Sequence, residues 1–191
     1  MQTSIVCHLL VGLPGSGKST IAAQWCKREP ELVWVSTDRV RERLYGDAAI
    51  QGTWIEIETE IVGEMNRAIE SGRSLIYDAT NVRQAWRMGI LQQVNGQIKG
   101  QNSRLDGTSP SSVLWMAWRV ETPLTLCLQR NRERVRNVPQ EVIEQFQVWM
   151  DSEAVQRSEG FVAVNAVPLI QGQVDWARMT DFIQLVRMQR S

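Results

Sequence analysis

Between an apolar run (Ile5 to Val11) and a helix-forming stretch the chain reads GLPGSGKST, residues 12 to 20. Gly12 to Ser19 fits the pattern G-x-x-x-x-G-K-[ST] in full. Backbone N–H groups can wrap a phosphate only where side chains leave room, which accounts for Gly12, Gly15 and Gly17. The following helix adds the positive end of its dipole to the same anion. Lys18 supplies a cation for the β- and γ-phosphates, and the Ser19 hydroxyl is a ligand for Mg²⁺. The expected phosphate-binding set is therefore Gly12, Leu13, Pro14, Gly15, Ser16, Gly17, Lys18, Ser19 and Thr20, holding a nucleoside triphosphate with magnesium.

A strand–loop–helix of this kind belongs in an α/β protein, and the rest of the chain follows suit. Short apolar runs at 32–36, 74–78, 113–120 and 161–167 alternate with helical periodicity at 19–28, 38–45, 54–70, 85–94 and 140–150. A further helix starts near Pro123 and another closes the chain. Strands this uniformly apolar fit a sheet covered on both faces. The expectation is a three-layer P-loop NTPase fold: a mostly parallel five-stranded sheet, helices on both faces and a small helical lid at about 126–150. One domain over residues 1–191 suits the length. The segment 95–112 is rich in Gly, Ser and Asn and reads as a long loop. Its LDGTS resembles half of a haloacid-dehalogenase-type phosphatase motif, but Arg104 stands where the aspartate nucleophile belongs, so that reading fails.

Composition narrows the partners. Lys plus Arg equals Asp plus Glu at 21 each, so no whole-protein field draws nucleic acid, and any polyanion site must be a local arginine cluster. The three cysteines, Cys7, Cys26 and Cys127, are scattered, which argues against a disulfide framework, a disulfide-linked partner or a zinc site. No leader pattern precedes the first strand and no apolar run reaches membrane-spanning length. A soluble cytoplasmic protein is expected.

Three later stretches bear on where the phosphate goes. In VSTDRVRERLYGD, Asp38 follows the second strand at its carboxyl end, where ligands bind in open α/β sheets. A carboxylate there can take the proton of an attacking hydroxyl. Arg41, one helical turn on, can hold an anionic group of the acceptor. The alternative makes Asp38 a helix N-cap and Arg41 a surface charge. In LIYDATN, Asp78 ends a strand as expected of the acid that orients Mg²⁺ through water, and Asn81 shares its rim; a plain Asx turn is the alternative. In RNRERVRNVP, Arg130 and Arg134 are spaced to share one helical face and Arg132 and Arg136 another. A guanidinium pair on one face can clamp a transferring phosphoryl group and close over ATP as a lid; a solvated helix end is the alternative.

The set GLPGSGKST, STDRVR, DATN and LQRNRER, in that order from about residue 5 to 150, resembles the 5′-hydroxyl polynucleotide kinase domains, within a wider group of small P-loop kinases that includes zeta-type toxins. The resemblance implies that Lys18 and Ser19 bind phosphate and magnesium, that Asp38 is the general base, and that Arg130 and Arg134 are lid arginines. It implies Arg41 as the ligand of the acceptor's phosphate, with Asp78, Asn81 and Arg87 lining the acceptor side. The implied acceptor is the 5′-hydroxyl end of DNA or RNA. A phosphatase domain like the one the phage-type enzyme also carries is not expected within these residues. Zero net charge favours the alternative of a small-molecule kinase acting on a nucleoside, sugar or nucleotide sugar. A slowly hydrolysing switch is the reading from a different class.

Eight tryptophans are many for this length. Trp34, Trp115 and Trp118 fall in strands and are expected to pack; Trp54 and Trp86 are candidates to stack on an acceptor base. His8, inside the first strand, is expected in the core, and Asp47 in a turn.

Overall fold

The computed structural model describes residues 4–102, 113–134 and 137–188, with side chains described outside 97–102. In chain order the elements are β1 (Ile5–Val11), α1 (Lys18–Arg28), β2 (Val33–Ser36), α2 (Thr37–Tyr45), α3 (Trp54–Glu70), β3 (Leu75–Asp78), α4 (Gln84–Asn102) and β4 (Val113–Arg119). Then follow α5 (Leu124–Arg132), α6 (Gln140–Ser152), a 3₁₀ turn at Arg157–Glu159, β5 (Ala163–Ala166), a small hairpin of β6 (Leu169–Ile170) and β7 (Gln173–Val174), and α7 (Trp176–Met188).

Five strands form one parallel sheet in the order β2-β3-β1-β4-β5, with β1 at its centre. Its register sets Cys7 between Leu75 on β3 and Trp115 on β4. All seven residues of β1 are buried because both of its faces are covered. Ile5, Cys7, Leu9 and Val11 point to one side, where Ile57, Ile61 and Met65 of α3 and Ile90, Leu91 and Val94 of α4 cover them. Val6 and Leu10 point to the other, against Ile21 and Trp25 of α1 and Met179 and Ile183 of α7. His8 lies on that second side, its ring tilted by 36° against Trp25 with centroids 4.5 Å apart, and accepts from the Trp118 indole at 3.1 Å. Burial pushes its imidazole down to about 3, so it is a neutral core residue.

A third, smaller core holds α5 and α6 to the glycine-rich loop. Leu13, Cys127 of α5 and Ile143 of α6 are buried together, with Leu128, Val138 and Phe146 packed around them.

Two expectations need correcting. The segment 95–112 is not all loop: α4 runs on to Asn102, while 103–112 lies outside the described residues. Gly96 and Gly100 each cost about 1 kcal/mol relative to Ala, but Gln97, Lys99 and Gln101 between and after them are good helix formers that let α4 continue. Helix α5 ends at Arg132 and α6 begins at Gln140, so Arg134 lies beyond the helix instead of on its face.

Candidate functional site

The glycine-rich loop leaves the carboxyl end of β1, and its geometry depends on residues without side chains. Gly15 has φ +83°, and a Cβ there would stand 2.4 Å from the Cys127 carbonyl oxygen. Gly17, at φ +99°, is the left-handed N-cap of α1. The loop is tied down from three directions. Gly12 N–H donates to the Thr80 carbonyl at 3.1 Å, Ser16 N–H to Leu13 at 3.1 Å, and the Thr122 hydroxyl to the Ser16 carbonyl at 2.8 Å.

Lys18 is buried under this loop, its Nζ donating to the carbonyls of Gly12 at 2.9 Å and Leu13 at 2.7 Å. Burial pulls its ammonium down to about 8, an effect that Asp78 opposes and Arg134 reinforces. Asp78, at the end of β3, is also buried, and desolvation raises its pKa against the pull of Ser19, Lys18 and Trp34. One of its carboxylate oxygens has no hydrogen-bond partner among the described residues. A buried oxygen without a donor, beside a serine hydroxyl, is a set of hard ligands that suits Mg²⁺. No group of three His, Cys, Asp or Glu side chains that could hold a metal on their own occurs among the described residues.

A cleft of about 890 Å³ opens over the carboxyl ends of β1, β2 and β3, within the range of ligand sites. Lys18, Ser19, Asp78 and Arg134 line it at the loop, and Asp38 and Arg41 line it from α2. Ser36 occupies the N-cap position of α2, so Asp38 sits in the first turn and is not the cap. Asp38 is 59% exposed and pairs with Arg41 across 3.1 Å, whereas Arg41 is only 14% exposed. The Arg41 Nε is buried without a partner among the described residues.

The remaining expected residues divide. Arg130 reaches the Gly15 carbonyl with one guanidinium nitrogen at 3.5 Å, and Arg132 turns away to Gln140. Arg136 lies outside the described residues. Asn81 lines the cleft, but its amide nitrogen donates to the Leu10 carbonyl at 2.8 Å and holds the loop after β3 to β1. Its backbone sits at φ 52°.

Arg87 is a correction. Expected on the acceptor side, it is fully buried outside the large cleft and forms a two-pronged ion pair with Glu159 at 2.6 and 2.8 Å. It also donates to the carbonyls of Asn81, Val82 and Glu153. Its guanidinium has no donor left to offer a substrate and instead fixes the loop that carries Asn81. A separate hollow of about 460 Å³ touches it, between α6 and the segment after β4.

Sequence reasoning missed several cleft residues. Thr37, Gln51, Glu58 and Tyr77 line it, yet each lies in a run whose pattern reads as helix, loop or core. Desolvation pushes the Tyr77 phenol up to about 12. Trp54 and Trp86 do line the cleft. Asp47 accepts from Ala49 N–H at 2.7 Å in a turn, as expected. No helix among the described residues is long and apolar enough to cross a membrane.

The arrangement puts cations, a magnesium-type ligand set and a carboxylate–guanidinium pair around one space. Comparison with known proteins bears on the fold that carries this layout. No curated protein is significantly similar to the chain. Among solved structures, a candidate kinase from Chloroflexus aurantiacus superposes with a TM-score of 0.66 at 14% identity, covering 100% of both chains. A fungal RNA kinase does so at 0.61 and 12%, covering 89% of this chain and 76% of that one. Shikimate kinase from Acinetobacter baumannii gives 0.55 and 17%, covering 99% and 96%. A chain of the Pnkp1/Rnl/Hen1 RNA repair complex gives 0.58 and 19% over 82% of this chain; the match spans only about half, 48%, of that chain. At these identities the likeness is one of fold, a P-loop kinase-type fold. A family model described as an AAA domain (AAA_33) matches residues 7–152, and the chain belongs to that family.

Proposed function

We infer that the protein is an ATP- and Mg²⁺-dependent kinase that moves the γ-phosphoryl group to a hydroxyl, with a nucleic acid 5′-hydroxyl as the favoured acceptor. The observation that carries this reading is that Asp38 with Arg41 and Lys18 with Ser19 and Asp78 line the same cleft. A hydrolase needs only to place water. The pairing of a carboxylate with a partly buried arginine suits an acceptor that brings both an alcohol and an anion.

In this reading the loop N–H groups and Lys18 hold the β- and γ-phosphates, Lys18 leaving the carbonyls it binds in the free protein. Ser19 and, through water, Asp78 would hold magnesium, which would supply positive charge to the phosphates. The acceptor oxygen attacks the γ-phosphorus as the bond to the ADP oxygen breaks, and Asp38 takes the hydroxyl proton. Arg130 and Arg134 offset charge on the moving phosphoryl group. Arg41 takes the phosphate next to the hydroxyl. The Arg41 Nε, buried with no partner among the described residues, supports that role. Helices α5 and α6 form the lid of a single kinase domain, and three free cysteines fit a cytoplasmic setting.

The second reading, a small-molecule kinase, is favoured by the zero net charge, since a polynucleotide groove ordinarily carries a basic surface. One acceptor panel with γ-labelled ATP separates the readings: 5′-hydroxyl oligonucleotides, nucleosides, sugars, and no acceptor. Label on the oligonucleotide supports the favoured reading, and label on a small molecule alone supports the second. ATP hydrolysis that ignores every acceptor points to a switch.

A further inference from the structure

The eight tryptophans fall into three groups. Trp25, Trp115 and Trp118 are fully buried. Three others carry an arginine over the ring: Arg39 on Trp34 at 4.8 Å, Arg83 on Trp149 at 4.6 Å and Arg28 on Trp176 at 5.0 Å. The last two, Trp54 and Trp86, are 49% and 45% exposed. Among the described residues no cation covers either ring, and both line the large cleft.

Their settings differ in a useful way. Trp86 is held on edge by Phe146 at 5.9 Å and Trp149 at 5.7 Å, both on α6. These contacts fix the ring between α4 and the lid helix. Trp54 opens α3, and Glu58, one helical turn later, lines the cleft with it, as does Gln51 just before the helix. An open indole beside an amide and a carboxylate offers a flat apolar surface together with a donor and acceptors at its edge. Leaving two large aromatic surfaces in water costs hydrophobic free energy that the other tryptophans avoid.

We propose that Trp54 and Trp86 form a stacking platform that binds a nucleobase of the acceptor, making the acceptor a nucleotide unit and not a bare sugar or polyol. The proposal rests on the phosphotransfer reading above for its substrate and adds the group that is recognised. Base and phosphate then occupy different walls of one cleft: the indoles take the base, and Arg41 takes the anion. Stacking needs no base-specific hydrogen bond, so the platform tolerates any base.

The test uses the full chain, with Trp54→Ala, Trp86→Ala and the ring-keeping Trp54→Phe and Trp86→Phe, each checked for an unchanged melting temperature. Binding of a 3′-labelled 5′-hydroxyl oligonucleotide is measured by fluorescence anisotropy, beside an oligonucleotide whose 5′-terminal residue lacks its base. A free nucleoside is run as competitor. Loss of one stacked base weakens binding roughly 5- to 150-fold. The alanine variants are expected to lose that factor for the base-bearing end, to lose little for the abasic end, and to recover most of it as phenylalanine. Competition by the nucleoside places recognition in one base; competition by oligonucleotide alone places it in the polymer, and both uphold the platform. Equal binding of both ends by wild type and alanine variants overturns it, as does a weakened affinity for ATP in place of the oligonucleotide. Because binding needs no turnover, a platform that survives in a protein transferring no phosphate refutes the kinase reading alone. Transfer with an acceptor KM unchanged in the alanine variants refutes the platform alone.

Discussion

Arg41 donates to the carboxylate of Asp38 across 3.1 Å while its own Nε stays buried and has no partner among the described residues. The pair sits one turn apart on α2, in the wall of the cleft. A guanidinium held this way can exchange part of its contact with Asp38 for a phosphate, which frees the carboxylate at the moment an acceptor arrives.

Arg41→Ala is therefore expected to raise the KM of acceptors that carry a phosphate next to the hydroxyl by about 10- to 100-fold, the value of a hydrogen bond to a charged group. Acceptors without that phosphate are expected to change little. Steady-state kinetics on a nucleoside and its 3′-phosphate make the comparison; an equal loss on both would contradict the assignment.

Lys18 gives a pH signature. Its ammonium is pulled down to about 8 in the free protein, from an ordinary 10.5, by burial. Triphosphate oxygens restore the charge, so binding takes up a proton wherever the free lysine is neutral and the bound one is not. At pH 9 uptake is expected to approach one proton, and at pH 7 to be near zero. Titration calorimetry in buffers of different ionisation enthalpy reads this directly, and Lys18→Met abolishes it. The same depressed pKa makes the charge on Lys18 oppose folding below pH 8, an opposition lifted between about 8 and 10.5. Stability relative to Lys18→Met should rise across that window.

The Arg87–Glu159 pair is structural. Both side chains are essentially inaccessible, so removing one partner leaves a buried charge uncompensated. Glu159→Gln or Arg87→Ala is expected to cost about 3–5 kcal/mol and to lower Tm by roughly 6–20 °C. Loss of the exposed partner in Asp38→Ala should shift Tm far less. Thermal unfolding followed by circular dichroism decides between them; equal shifts would contradict the latch.

Gly15→Ala places a methyl 2.4 Å from the Cys127 carbonyl at a positive φ. The loop must move, and ATP affinity is expected to fall about tenfold or more, since a shift of this kind misdirects several N–H groups together. A calorimetric titration showing unchanged affinity would remove the loop from the site.

How much was readable in the sequence follows from what kind of information each residue carries. The strands and the loop were legible because their signals are local: β1 is apolar on both faces, and the glycine pattern admits few uses. Helix α4 runs longer than its sequence suggests because glycines at 96 and 100 signal a break that the helix overrides. Asp38 and Asp78 were legible as acids at strand ends. Arg87 was not, because nothing near it in sequence announces Glu159, which lies 72 residues away. The same holds for Asn81, whose amide binds a carbonyl 71 residues back. Arg134 was placed on a helical face it does not occupy, since α5 stops two residues earlier; it reaches the cleft from the turn. Trp54 and Trp86 were visible as candidates, yet only packing reveals which tryptophans lack a cover.

The most direct measurement is single-turnover transfer of γ-labelled phosphate from ATP to a 5′-hydroxyl oligonucleotide, by wild type and by Asp38→Ala. The account predicts labelled oligonucleotide from the wild type and a transfer rate about 10²- to 10⁴-fold lower in the variant, with ATP binding retained. Transfer at an equal rate by both proteins, or ATP hydrolysis with no hydroxyl acceptor ever labelled, would contradict it.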